Sequence, residues 1–87
     1  AQLQNYPDDV RLHKMRAESY AGLGRKAQQH QALAQAFALQ GQTAAAVEQL
    51  QLAERAGDAN FFELSVIDAR LRELKRQLIE ELKEKRN

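Results

Sequence analysis

An all-α fold is predicted by three observations: the residue mix, the placing of glycine and proline, and the spacing of apolar side chains. Ala (15), Leu (12) and Gln (11) dominate the 87 residues, whereas Val, Ile and Thr together number six. Strong helix formers with few β-branched residues make a sheet a poor solution. Pro7, Gly24, Gly41 and Gly57 cut the chain into helix-sized pieces. The length suits one domain with a modest core and is too short for most complete enzymes. Thirteen basic against twelve acidic residues leave a net charge of +1. Such a balance gives no global field for nucleic acid or an anionic membrane surface. Cysteine is absent, which removes disulfides and thiolate metal sites. No apolar run approaches the roughly 18 residues of a membrane-spanning helix. No signal peptide is read, and the first residue, Ala1, is not Met, so any targeting segment is expected to lie elsewhere in a longer parent.

The elements follow in order. Residues 1–9 read as an N-terminal turn or linker in which Pro7-Asp8-Asp9 supplies an acidic cap. Asp8 or Asp9 can accept from the exposed amides of a first helical turn. Val10, Leu12, Met15, Ser19 or Tyr20, and Leu23 then recur at helical spacing before Gly22-Leu23-Gly24 stops the helix. A second helix is predicted from about Lys26 to Gln40, packing through Ala27, Leu33, Ala34, Phe37 and Leu39. Gly41-Gln42 breaks it, with Thr43 as the expected N-cap of a third helix that packs through Ala46, Val47, Leu50, Leu52 and Ala53. These helices occupy residues 10–60.

Residues 61–87 form a long amphipathic C-terminal helix. Its apolar residues fall at Phe61, Leu64, Ile67, Leu71, Leu74, Leu78 and Leu82, in steps of three and four. That is a heptad-like stripe. Asp68 with Arg72, and Glu81 with Lys85, stand as acid-before-base pairs four apart, a spacing that brings side chains together on a helix. About 26 helical residues span roughly 39 Å, against roughly 21 Å for a helix of about 14. The last two or three turns are therefore expected to lack a partner within the chain.

Gly24 and Gly41 lie 17 residues apart, half the 34-residue period of a tetratricopeptide repeat. In the frame set by Gly41, the positions Leu33-Ala34, Phe37, Ala46, Leu50 and Ala53 carry the large, small, aromatic, small, large and small residues of that repeat. Small residues let antiparallel helices approach, and large ones fill the adjoining groove. A full repeat spans about 27–60. A partial frame upstream uses Ala17, Tyr20 and Gly24. His30 stands where the repeat usually has Trp, and Gly57-Asp58-Ala59-Asn60 replaces the usual closing Pro. The fold class is thus a tetratricopeptide-like, antiparallel, right-handed array of four helices with a long C-terminal capping helix.

A more specific likeness runs along the chain. Its motifs are Pro7-Asp8-Asp9-Val10-x-Leu12, Ala17-x-x-Tyr20-x-x-x-Gly24-Arg25, Ala34-x-x-Phe37-x-x-x-Gly41 and Ala46-x-x-x-Leu50. It closes on Asp58-Ala59-Asn60-Phe61-Phe62 and Ile67-Asp68-Ala69-Arg70-Leu71-Arg72-Glu73-Leu74. This string, over residues 5–76, resembles the C-terminal repeats of Ste24-like periplasmic zinc metallopeptidases of the β-barrel assembly-enhancing protease type. The resemblance implies a periplasmic parent in protein quality control. Its zinc would belong to a separate catalytic domain with His-Glu-x-x-His, a motif this sequence lacks. No cofactor and no catalysis are expected of this chain.

Candidate chemistry is sparse. His13 and His30 have Arg16, Ala17, Leu33 and Ala34 at their helical i+3 and i+4 neighbours, so neither begins a zinc site. Both read as surface or boundary imidazoles. Ser19 and Ser65 are the only serines, and neither lies in a glycine-flanked elbow. Asp68 and Glu73 face different ways on a helix and are expected to pair with Arg70, Arg72 or Arg76. From Asn60 to Asn87 seven basic and six acidic residues interleave, a solvated face rather than a nucleic-acid site.

A groove remains. Positions 2, 5, 9 and 12 of the first helix of a tetratricopeptide repeat line the concave face. They fall on Gln28, Gln31, Gln35 and Ala38, and in the upstream frame on Arg11, Lys14, Glu18 and Ala21. Glutamine amides donate and accept without fixed charge, which suits an extended peptide backbone. Glutamine is also an ordinary helix-compatible surface residue. Glu18, four after Lys14, disfavours a carboxylate clamp there. Protein or peptide partners are expected, among them the parent's own catalytic domain. On the last helix Leu71, Leu74, Leu78 and Leu82 form a possible docking stripe for an absent domain or for a second copy, a homodimer. The alternative is an end that frays. A self-associating adaptor unrelated to proteolysis is the competing function.

Overall fold

The computed structural model describes residues 9–86, and among them all regular structure is helical. Helix α1 runs Val10–Gly22, α2 Lys26–Leu39, α3 Thr43–Arg55 and α4 Phe61–Arg86. Each packs on the next in chain order, α1 on α2, α2 on α3 and α3 on α4. Three-residue connections make the first pairs antiparallel. The carboxylate of Asp58, beyond the end of α3, touches the start of α2, and Thr43 at the start of α3 touches Gln77 and Glu81 late in α4. Four antiparallel helices with the last about twice as long as its neighbours match the predicted array. The N-terminal turn expected over residues 1–9 lies outside the described residues except for Asp9.

Local chemistry fixes where each helix starts. Asp9 is the N-cap of α1, and its carboxylate accepts from the Arg11 N–H at 2.9 Å. Desolvation alone would raise its pKa. Hydrogen bonds from the Arg11 backbone and side chain, and the Arg11 charge, outweigh that effect and hold the carboxyl below its ordinary value. Helix α2 has no side-chain cap from its own N-cap residue, Arg25. Asp58 supplies it from across the molecule, accepting from the Lys26 N–H at 2.6 Å and the Ala27 N–H at 2.9 Å. A carboxylate on the exposed amides of a first turn also meets the positive end of the helix dipole. Before α4, the Asn60 side chain accepts from the Glu63 N–H and the Glu63 carboxylate accepts from the Asn60 N–H, the reciprocal capping box.

Thr43 is not the cap of α3 that the sequence predicts. Gln42 holds the N-cap position without a side-chain bond, and Thr43 opens the helix itself. Its buried hydroxyl donates to Glu81 Oε2 at 2.9 Å and lies 3.4 Å from Gln77 Nε2. The oxygen that would have capped its own helix is drawn to α4. Glu81 is thereby taken from the predicted pair with Lys85, while Asp68 does pair with Arg72 at 3.5 Å.

Helices α1 and α2 end in the same way. Gly24 (φ 73°) follows α1, with the Arg25 N–H donating to Tyr20 O and the Gly24 N–H to Ala21 O. Gly41 (φ 77°) follows α2, with the Gln42 N–H donating to Phe37 O and the Gly41 N–H to Ala38 O. Each is a Schellman closure, which needs a residue in the left-handed region at that place. The 17-residue spacing of the two glycines is therefore a repeat of one backbone motif. Gly22 is the last residue of α1 and has no such role.

The core is alanine-rich on α2 and α3 and bulkier on α4. Ala34, Ala46, Val47, Leu50, Ala53, Ile67, Leu71 and Leu74 form one buried cluster, with Phe37, Ala38 and Ala59 packed partly against it. Ala17, Ala27, Ala32 and Ala36 are buried along α1 and α2. Leu33 and Tyr20 are half-buried. Several expected packing residues face outward: Met15, Leu23, Leu52 and Leu64 are exposed, as is Phe61 at 86 %, with Phe62 beside it also exposed. In α1, His13 and Ala17 face the core instead of Met15, so His13 is buried rather than a surface or boundary imidazole. In α4 the buried run is centred on Ile67, Leu71 and Leu74, so exposed apolar residues fall on both sides of it. The predicted free end is shorter than two or three turns, because Gln77 and Glu81 are still held by Thr43.

Gly22 and Gly24 respond oppositely to alanine. An added Cβ meets no atom within 4 Å at either position, so backbone preference alone decides. Gly24→Ala loses about 1–2 kcal/mol, the cost of left-handed backbone for an L-residue. Gly22→Ala, at the last position of α1, gains no more than about 0.5 kcal/mol, below the helix-interior difference between the two residues. Urea unfolding of the two variants measures both signs.

Candidate functional site

The glutamine stripe is where the sequence put it, on one side of α2. Gln28, Gln31 and Gln35 repeat at i, i+3 and i+7, and all three are half-buried. They form one wall of a cleft of about 300 Å³ whose other wall is His13, Arg16 and Tyr20 of α1, with Ala32 between. Gln31 and Gln35 also border a second cleft of about 220 Å³. Ala34 and Leu50 lie at its apolar base, and Val66 and Arg70 of α4 form its far side. The two clefts share these glutamines and so run on from one another across α2. Three helices contribute polar side chains to a single surface.

Its internal bonds are few. Arg16 Nη1 lies 3.4 Å from His13 Nδ1, and its guanidinium carbon is 6.0 Å from the centre of the Tyr20 ring, within cation–π range. Arg70 bonds to Glu73 and reaches Gln35 Oε1 at 3.4 Å. His30 faces a different neighbour, with Nδ1 2.8 Å from Gln49 Oε1 of α3, a bond that ties α2 to α3 rather than serving the cleft.

The other predicted groove residues are not on this surface. Lys14 and Glu18 line a separate cleft of about 240 Å³ with Ala17, Ala21, Gln29 and Leu33. Arg11 sits exposed beside Asp9 at 3.6 Å. The cause is the rotation of α1 about its axis. His13 and Ala17 face α2, which turns Arg16 and Tyr20 to one flank of the α1–α2 seam and Lys14 and Glu18 to the other. Lys14, Glu18 and Ala21 of the upstream repeat frame thus lie on the flank away from Gln28, Gln31 and Gln35. His13, Arg16 and Tyr20 share the i, i+3, i+7 spacing of Gln28, Gln31 and Gln35, a match that was available from the sequence.

The predicted docking stripe divides. Leu71 and Leu74 are 5 % and 1 % exposed and belong to the core cluster, so they cannot receive a partner. They are covered because α3 presents alanines and Leu50 at that level, leaving a groove that only larger side chains fill. Leu78 is half-buried, and Leu82 and Ile79 are more than half exposed.

Among the described residues no group of three His, Asp or Glu side chains is placed to hold a metal ion. The zinc implied by the resemblance therefore has no donor set among them. No helix among them is long and apolar enough to cross a membrane. Comparison with family models, with curated proteins and with solved structures gives no match to this chain.

The division of the α4 stripe has a direct energetic signature. Leu74→Ala leaves a hole among fully buried side chains and loses about 2–5 kcal/mol. Leu82→Ala, on an exposed turn, changes stability by no more than about 0.5 kcal/mol. Chemical denaturation of the two variants gives the comparison, and equal losses would contradict it.

Proposed function

We propose that this chain is a non-catalytic protein-interaction module that binds an extended polypeptide segment along the glutamine-lined face of α2. The observation that carries the reading is the pair of contiguous clefts sharing Gln31 and Gln35. Side-chain amides both donate and accept, so a row of them can follow the alternating N–H and C=O groups of an extended chain. The apolar base at Ala34 and Leu50, with Val66 on the far side, offers a place for one apolar side chain of that segment. Fixed, weakly charged walls on rigid helices suit binding of this kind better than proton transfer.

The tetratricopeptide assignment belongs to the same proposal. It is supported by the paired Schellman glycines 17 residues apart and by the small-to-large alternation of Ala34, Phe37, Ala46, Leu50 and Ala53. The parent proposed is a Ste24-like periplasmic zinc metallopeptidase acting in outer-membrane protein quality control. That part rests on the sequence resemblance over residues 5–76. In such a parent the module would recruit substrates or assembly partners, or hold the catalytic domain.

Self-association through α4 is the weaker reading, because Leu71 and Leu74 of its stripe are used inside the chain. One experiment separates the two. Amide chemical shifts of the isotope-labelled chain are followed as a panel of unstructured, amidated peptides is added, and again on diluting the protein alone. The proposal expects peptide-dependent shifts at Gln28, Gln31, Gln35 and Val66, lost in a Gln31→Ala/Gln35→Ala variant that keeps its thermal midpoint. Shifts confined to Leu78, Ile79 and Leu82 that depend on protein concentration would replace it with the self-association reading.

A further inference from the structure

The α1–α2 half of the surface has a feature that the peptide-groove reading does not require. Among the described residues no acidic side chain lines either cleft, yet each contains an arginine. The two arginines differ. Arg70 is neutralised by Glu73. Arg16 is exposed and is held by an imidazole and a phenol ring, His13 and Tyr20, and it makes no ion pair with a carboxylate of the described residues. Elsewhere among those residues Arg11, Arg72 and Lys83 sit beside Asp9, Asp68 and Glu80; Lys14, Arg55 and Arg76 also make no ion pair there, and what sets Arg16 apart is its place in the wall of the cleft against two rings. Among the described residues Arg16 is thus oriented by partners that do not neutralise its charge. A guanidinium has five donors in a planar fork, and its strongest complement is a carboxylate taken up through two parallel bonds.

We infer that the cleft between α1 and α2 is a selectivity subsite for an acidic side chain, Asp or Glu, of the bound polypeptide, read by Arg16. The inference rests on the groove reading and names the class of segment it accepts. The subsite receives a side chain rather than a chain end because the surface does not stop there. Past Gln31 and Gln35 it continues to Val66 and Arg70, so the backbone can run on along the glutamines while one carboxylate turns toward Arg16. A cleft of about 300 Å³ holds one such side chain with its hydration. Lys14 stands two residues away on the opposite flank of the same helix and supplies a control of equal charge.

Fluorescence anisotropy tests this with a labelled, C-terminally amidated Ser/Ala/Glu peptide and its counterpart in which every Glu is Gln. The wild-type chain is expected to bind the Glu peptide about tenfold more tightly, a difference of about 1.4 kcal/mol. Arg16→Gln should abolish the preference, Arg16→Lys should restore part of it, and Lys14→Gln, outside the cleft, should keep both the preference and the Gln peptide's affinity. Circular dichroism of each variant confirms the helices. Equal affinity for the two peptides overturns the acidic subsite and leaves the groove reading standing. Equal losses from Lys14→Gln and Arg16→Gln would mean long-range attraction, which also overturns it. Tighter binding of the free-carboxyl form than of the amidated one, dependent on Arg16, would reassign the subsite to a chain terminus. Binding of neither peptide, with no amide shift at Gln28, Gln31 or Gln35, overturns the groove itself.

Discussion

Close approach of α2 to α3 through alanine is the constraint on which the rest of this structure depends. Ala34 on one helix, and Ala46 and Ala53 on the other, are at most 3 % exposed and share one buried cluster, with Ala38 packed against it. Where two backbones approach this nearly, no larger side chain fits between them, and dispersion contacts accumulate from the backbones themselves. The bulk needed to complete a core then has to come from elsewhere. Ile67, Leu71 and Leu74 of α4 supply it, and that use commits α4 to the stack. Asp58, reaching from the α3–α4 turn to the first amides of α2, closes the same three helices into one unit.

The closeness of the helices also shapes the candidate site. A narrow seam between α2 and its neighbours leaves the polar flank of α2 recessed between α1 and α4 instead of standing out as a ridge. Half-buried glutamines lose water on one side and retain unfilled hydrogen-bonding capacity on the other, which is the condition for recognising a polypeptide backbone. The arginines at the two ends differ in how they are held. One is neutralised within its own helix, and the other is fixed by rings that carry no negative charge.

Helix positions were legible because strong local signals agree. Glycines that must be left-handed, runs of helix formers and apolar spacing all placed the boundaries within a residue or so, as for α2 at Lys26–Leu39 and α4 at Phe61–Arg86. The Asn60 and Glu63 capping box is present in the sequence as Asn-x-x-Glu. What local pattern could not give was rotation about each helix axis. In α1 the apolar residues Leu12, Met15 and Leu23 suggest one buried face, but His13 and Ala17 are smaller or flatter and fit the seam with α2. That turn of the helix moved Lys14 and Glu18 off the glutamine surface and brought Arg16 and Tyr20 onto it. Long-range side-chain bonds were equally hidden: nothing near Thr43 marks Glu81 as its partner, and nothing near Lys26 marks Asp58. Leu71 and Leu74 carried the same apolar signal as Leu82, and only the length of α3 distinguishes the covered part of the stripe from the open part.

The seam itself can be measured most directly at Ala46, which is fully buried where α3 meets its neighbours. Equilibrium unfolding of Ala46→Leu, with a surface change such as Ala44→Leu on the same helix as reference, reports whether space exists there. If the helices are in alanine-limited contact, Ala46→Leu loses about 1–3 kcal/mol or more, while Ala44→Leu stays within about 0.5 kcal/mol. Unchanged or increased stability for Ala46→Leu would contradict the close packing, and with it the recessed surface on which the binding proposal stands.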